Sequence, residues 1–231
     1  MKNWYQLTES ETLDKLGVTS EGLSSQQADS LLEKHGKNVL EESKKKSIFQ
    51  VFLSQFADLM VIILIIAAIV SMFSGSVEST IVIFAVITLN AILGTVQHVK
   101  AEKSLESLKS LSSPSAKVIR DGRKIEIDSE NIVPGDIVVL EAGDLVVADG
   151  RIINNYSLQV NESSLTGEST NIDKSVETIE KEVPLADRTD MVFSGSLVTY
   201  GRAIVVVTET GMNTEIGKSG KEQENSPPAQ P

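Results

Sequence analysis

The sequence contains no cysteine. That excludes a disulfide framework, a thiol nucleophile and a cysteine metal site. It has only two histidines, His35 and His98, too few for a histidine metal cage. Aromatic residues are 4% of the chain, which leaves no stacking platform for bases or sugars. Positive charge is also short: 21 Lys and Arg face 32 Asp and Glu, for a net charge of -11. Such a balance excludes nucleic acid as a partner held through its phosphates. No Gly-x-x-x-x-Gly-Lys-Ser/Thr run occurs, so there is no P-loop for a nucleotide. At 231 residues there is room for one large domain or two small ones.

What is present is unevenly distributed. Residues 59–77 and 79–97 are two uncharged runs of nineteen residues, separated by Glu78. At about 1.5 Å per residue each spans about 28 Å as a helix, close to a hydrocarbon core of about 30 Å. Runs this long and this uniform around the helix fit lipid better than the one-sided stripe of a buried helix pair in a soluble core. The short Ser74-Gly75-Ser76-Val77-Glu78 link makes the helices antiparallel neighbours, expected at about 57–75 and 79–98. Lys44, Lys45 and Lys46 precede the first, Lys100 and Lys103 follow the second, and the link has no Lys or Arg. The positive-inside rule therefore puts both long ends in the cytoplasm, a multi-pass arrangement in the cell membrane. The first forty residues are polar, so no cleavable signal peptide is expected. Asn90 is expected to face another helix and hydrogen-bond to it, an ion-ligand role being the other reading.

The flanking parts differ in period. Residues 1–46 read as short helices. Thr8-Glu9-Ser10-Glu11 and Ser24-Ser25-Gln26-Gln27 are capping boxes, Leu13, Leu16, Ala28, Leu31 and Leu32 are the apolar stripes, and Gly17 and Gly36 are stops. A helical pair this small cannot hold itself folded and must dock on another part. His35 reads as a solvated residue in the last turn. The second apolar helix continues through Lys103, Leu105, Leu108 and Leu111, and Ser112-Ser113-Pro114-Ser115 ends it. The period then becomes two. Strands are expected around Asp121-Gly122, a hairpin turn, and at 137–140, 145–147, 151–153, 158–160, 191–198 and 202–208, with turns at Pro134-Gly135-Asp136, Ala142-Gly143-Asp144, Ala148-Asp149-Gly150 and Tyr200-Gly201. Many short, closely spaced strands suggest an all-β sandwich or jelly roll.

That pattern breaks at 161–190, which opens with Asn161-Glu162-Ser163-Ser164-Leu165-Thr166-Gly167-Glu168-Ser169-Thr170. Gly167 lets the backbone turn sharply and approach another surface. A carboxylate at the tip, Glu168, could orient a water or take its proton. By themselves the four residues Thr-Gly-Glu-Ser are a weak motif and read first as an ordinary polar turn.

The surroundings carry a resemblance. Val133-Pro134-Gly135-Asp136, Gly143-Asp144, Ala148-Asp149-Gly150-Arg151, residues 161–169, Phe193-Ser194-Gly195 and Thr210-Gly211-Met212-Asn213-Thr214-Glu215-Ile216-Gly217-Lys218 stand in the order found in P-type cation-transporting ATPases. The chain resembles that family, above all its calcium-pump-like subgroup, from near Tyr5 to about Lys218. Where the family usually has Pro before Ala-Asp, this chain has Val147. The resemblance implies a multi-domain membrane protein fragment: an α-helical N-terminal segment (1–46), a transmembrane helical hairpin (47–100), an all-β jelly-roll-like actuator domain (101–218) and a disordered tail (219–231).

The resemblance also implies a mechanism. Such pumps pass through an aspartyl phosphate, and the actuator brings its Thr-Gly-Glu-Ser loop against it. Glu168 would position the attacking water; Thr166 and Gly167 would shape the loop that Ser169 completes. The physical logic is positioning plus electrostatics at a phosphoryl group. The family's Asp-Lys-Thr-Gly-Thr phosphorylation motif does not occur here. The chain is therefore expected to be the N-terminal portion of an ATP-driven cation pump, with Ca2+ as the favoured ion, and inactive alone. Mg2+ and ATP belong to the complete family protein, and no cofactor or metal site is expected in this chain. Its expected partners are membrane lipid and the phosphorylation and nucleotide-binding domains of the same or a partner pump. The alternative is a non-enzymatic, membrane-anchored module that regulates a full P-type ATPase or completes a split one. The polar, Pro-rich end reads as a truncation or frame error, its rival being a short gene product with a flexible tail.

Overall fold

A computed structural model describes residues 3–40, 47–111, 114–167 and 170–225. Among them the helices are α1 (Glu9–Leu16), α2 (Ser25–His35), α3 (Ile48–Ser54), α4 (Leu59–Phe73), α5 (Val77–Leu111), α6 (Ser163–Thr166) and α7 (Glu215–Asn225). The strands are β1 (Ser115–Arg120), β2 (Arg123–Asp128), β3 (Ile137–Glu141), β4 (Asp149–Asn161), β5 (Asn171–Asp173), β6 (Met191–Val192) and β7 (Leu197–Glu209). They fall into two compact units, one within 1–41 and 113–231, the other within 42–112.

In the first unit all seven strands join one antiparallel sheet, ordered β2-β1-β3-β7-β4-β5, with β6 on β4. Alternation along each strand divides the apolar side chains between its two faces. Val118, Val138, Leu140, Ile152, Val205 and Val207 build one cluster with Ile132, Val146 and Val192. Their neighbours Ile119, Ile137, Ile153 and Val206 point to the opposite face. The expected short strands at 151–153 and 158–160 are one long strand, β4, whose register shifts between Ile152 and Asn154 and between Tyr156 and Gln159. Bulges of this kind bend a strand without ending it. Tyr200-Gly201 is likewise no turn: it lies inside β7, and a Cβ on Gly201 would stand 2.2 Å from the Ser157 carbonyl oxygen. Residues 145–147 form no strand beyond an isolated bridge from Leu145 to Leu197. They are held by the turn at 193–196, where Val146 N–H donates to the Ser196 carbonyl and Gly195 N–H to the Val146 carbonyl. The same turn splits the expected strand at 191–198.

The N-terminal helices cover the second face. Both capping boxes form: Thr8 with Glu11, and Ser24 with Gln27. Leu13, Leu16, Val18, Leu23, Ala28, Leu31 and Leu32 then pack on Val133, Ile137, Ile153 and Val206. Asp121, at the β1–β2 turn, accepts from the Ser25 N–H and hydroxyl at 3.1 and 2.7 Å, so the hairpin also holds the start of α2. Asn38 fastens the other end. Its Nδ2 donates to the Ser129 and Val147 carbonyls at 3.0 and 2.8 Å, and its Oδ1 accepts from Gly211 N–H at 2.7 Å. His35 is exposed.

Residues 219–225, expected as the start of a disordered tail, continue α7. The helix is started by a local cap, Thr214 Oγ1 accepting from Gly217 N–H, and by a tertiary contact that composition does not reveal, Asp149 accepting from Glu215 N–H. Residues 226–231 lie outside the described residues.

The second unit is apolar. From α5, residues Val77–Leu105 are long and apolar enough to cross a membrane. All 35 residues of α5 make about 52 Å of helix, longer than a hydrocarbon core. The expected helix at 57–75 is instead α4 alone, and it joins the preceding helical residues Ile48–Ala57 at a bend of 68°. Asp58 makes the break: its Oδ1 accepts from Met60 N–H at 2.8 Å and caps a new helix. Ile48–Ala57 and Leu59–Phe73 count as a second span only if taken together. On α5 the packed face is Ile87, Ala91 and Thr95, with a Cβ on Gly94 set to stand 2.4 Å from Gln55 Oε1. Asn90 lies off that face and is exposed.

Asn38→Ala should lower the unfolding free energy by about 2 kcal/mol, because three backbone groups lose their partner. Urea titration of the full chain in detergent checks this; an unchanged midpoint contradicts the fastening role.

Candidate functional site

The hydroxyl-rich loop leaves the end of β4 and returns on β5, with Asn161 paired to Asn171. Asn161 Oδ1 accepts from Ser163 N–H at 3.1 Å. The chain then makes the single turn of α6. The Glu162 carbonyl accepts from Leu165 N–H, Thr166 N–H and Thr166 Oγ1 at 2.9, 3.0 and 3.1 Å. Ser164 Oγ donates to the Gly195 carbonyl at 3.1 Å, tying the loop to the turn beside it. Gly167 stops the helix with φ 75°, in the left-handed region that favours glycine. The structure thus brings Thr166 and Gly167 together at the loop's outer end. Glu168 and Ser169 lie outside the described residues.

Under the loop is a layer of charge that the sequence reading missed. Glu162 Oε1 and Lys174 Nζ form an ion pair at 2.5 Å, with side chains 1% and 0% exposed. Lys174 Nζ also lies 5.5 Å from the centre of the Phe193 ring. Burial pushes the Glu162 carboxyl up and the Lys174 ammonium down, and the partner charge opposes both shifts. A second pair follows, Arg151 Nε to Asp190 Oδ2 at 3.1 Å, with both side chains fully buried. Arg151 also donates to the carbonyls of Leu7, Ile152, Val176 and Asp190 and to Thr178 Oγ1. Burial pushes the Asp190 carboxyl up to about 6. Asp149, 2% exposed, is pushed up to about 6 for the same reason, although Ser194 N–H and Glu215 N–H donate to it at 2.8 and 2.7 Å. No local signal marks Lys174 or Asp190 as buried, since charged residues between strands read as solvated. Asp149 reads in the sequence as part of a turn and Arg151 as the first residue of a strand, neither as a buried charge.

Clefts of about 210 and 190 Å³ occur on this unit, and neither is lined by residues 162–167. Among the described residues no three His, Asp or Glu side chains converge as metal ligands. Ser163, Ser164 and Gly167 are exposed, and Leu165 and Thr166 are half-buried.

The chain matches the family model for the P-type ATPase actuator domain over residues 110–224 and that for the cation transporter/ATPase N-terminus over residues 4–71. It belongs to the P-type cation-transporting ATPase family. It is 48% identical over 214 residues to a calcium-transporting ATPase of Listeria monocytogenes, covering 93% of this chain and 24% of that protein. It is 44% identical over 225 residues to calcium-transporting ATPase 1 of Bacillus cereus, covering 94% and 25%. A cation-transporting ATPase of Synechocystis is 40% identical over 209 residues, covering 90% and 22%. The chain thus spans about a quarter of the length of these relatives and corresponds to their N-terminal and actuator regions.

The raised carboxyls set a pH dependence. A folded pKa of about 6 against an ordinary 3.8 means that Asp149 and Asp190 contribute stability that is full below 3.8 and lost as pH rises through 6. Asp121 and Glu141 are held low, by Ser25 and by Lys117 with Lys124, so their contribution is lost only in more acid solution. The urea midpoint should rise as pH is lowered from about 7 to about 5, and Asp149→Asn should flatten that rise. A midpoint that falls steadily over this window contradicts the assignment.

Proposed function

We propose that the chain acts as the actuator-bearing N-terminal portion of an ATP-driven cation pump, with Ca2+ as the transported ion. The observation that carries this reading is the outward loop at 162–167, braced from beneath by buried charge, in a chain of this family. The calcium assignment is supported by the names of the most similar relatives. The aspartyl phosphate would be held by a phosphorylation domain, in the same protein or a partner, and approached by the loop. Glu168 orients the attacking water and takes its proton as the phosphoryl bond breaks. Thr166, Gly167 and Ser169 give the loop the shape that lets Glu168 reach the phosphorus without admitting bulk water. Helices α4 and α5 anchor the unit in lipid with both long ends in the cytoplasm, as the lysine distribution supports.

This portion contributes one half of a catalytic centre, so its activity is visible only opposite a phosphorylated aspartate. Joined to the remaining domains of such a pump, the Glu168→Ala variant should form phosphoenzyme normally and lose it about 10²-fold more slowly. Decay of the radiolabelled intermediate after a chase measures this. Unchanged decay contradicts the role of Glu168. The purified 231-residue chain should take no label from ATP, and labelling of that chain would overturn the division of labour.

A further inference from the structure

The Glu162–Lys174 pair is unusual among the contacts that hold the loop. Its Oε1–Nζ distance is 2.5 Å, both side chains are sealed from solvent, and Glu162 Oε2 has no hydrogen-bond partner among the described residues. A buried ion pair is weak evidence for stability, because replacing both partners with neutral side chains of similar shape is often neutral or stabilising. Its geometry suggests a different use. Glu162 is the residue whose carbonyl starts α6, accepting from Leu165 N–H, Thr166 N–H and Thr166 Oγ1. Lys174 follows β5 on the returning arm, and its own N–H donates to the Leu158 carbonyl at 3.0 Å. Its stem reaches back past the Phe193 ring to Glu162. The ion pair therefore links the residue that aims α6 to the opposite strand of the same hairpin.

We propose that Glu162 and Lys174 are a positioning pair: their buried contact fixes the direction of α6 and so the place where Thr166 and Gly167 stand. Two further features support this. Asp190, the nearest other carboxylate to act on the Lys174 charge, is committed to Arg151, which leaves Glu162 as the ion-pair partner of Lys174 among the described residues. Ser164 Oγ reaches only the Gly195 carbonyl, which steadies the outer side of the turn but not its starting residue. The use of this positioning in phosphoryl hydrolysis rests on the function proposed above; the positioning itself does not.

Amide hydrogen exchange on the full chain in detergent, beside its urea midpoint, tests the pair. Glu162→Gln and Lys174→Met each keep the side-chain length and remove one charge, leaving the other buried and uncompensated. Each should speed exchange at Leu165 and Thr166 at least about tenfold and lower the midpoint. The double variant leaves no uncompensated charge, so its midpoint should return close to that of the parent while exchange at Leu165 and Thr166 stays fast. Should a single variant fail to fold, the double variant still decides. Slow exchange restored in the double variant together with the midpoint would make the pair merely structural and overturn the proposal. So would parental exchange at these amides in a folded single variant. Neither readout involves phosphate, so a failed Glu168→Ala experiment and a failed positioning pair are separately visible.

Discussion

A guanidinium sealed inside a protein must have its donors satisfied, and Arg151 meets that demand by gathering distant parts of the chain. It is fully buried on β4 and reaches the Leu7 carbonyl of the N-terminal segment, Val176 and Thr178 of the segment after β5, and Asp190 just before β6. Removing any of these partners leaves a buried charge short of a contact, which is far more unfavourable than losing an exposed one. The hub therefore holds the N-terminal segment, the centre of the sheet and the returning arm of the loop to one geometry. Around it, two apolar clusters fill opposite faces of the sheet, and α1 and α2 close the second face. Tyr5, Met191 and Phe193 make a third cluster over the same region.

This rigidity suits the function proposed for the loop. A loop that must meet a phosphoryl group on another domain gains most from being held in place beforehand, because catalysis by positioning fails with small displacements. Here the loop is short, starts from a long central strand and has buried charge beneath it. The sheet supplies the platform. The N-terminal segment completes the platform's second face and so belongs to the same mechanical body.

Much of this was legible in the sequence where the cause is local. Thr8 with Glu11 and Ser24 with Gln27 are capping boxes because three-residue spacing alone places the side chains, and Asp121-Gly122 turns a hairpin for the same kind of reason. The docking of α1 and α2 followed from their size. Less was legible where distant contacts decide. Asp58 is the exception, a local cap: it reads as a mere boundary charge, yet its side chain, two residues from Met60, restarts the helix at the bend. Residues 219–225 look like a polar tail, but Asp149, more than sixty positions away in sequence, caps the helix that they continue. Gly201 reads as a turn but lies inside β7, opposite the bulge of β4 at Ser157. At the site, Thr166 and Gly167 were marked by motif, whereas Glu162 and Lys174 gain their meaning only from burial that no local pattern encodes.

The N-terminal segment and the sheet form one cooperative body around Arg151. The chain's single tryptophan, Trp4, reports on the segment directly: its indole N–H donates to Glu209 at 3.0 Å. Unfolding in urea, followed by Trp4 emission and by the ellipticity of the sheet over a constant background from detergent-held helices, measures this coupling. One coincident transition is the result expected of a single body. A Trp4 transition complete at lower urea than the loss of sheet would show a segment that detaches independently, and would contradict the account.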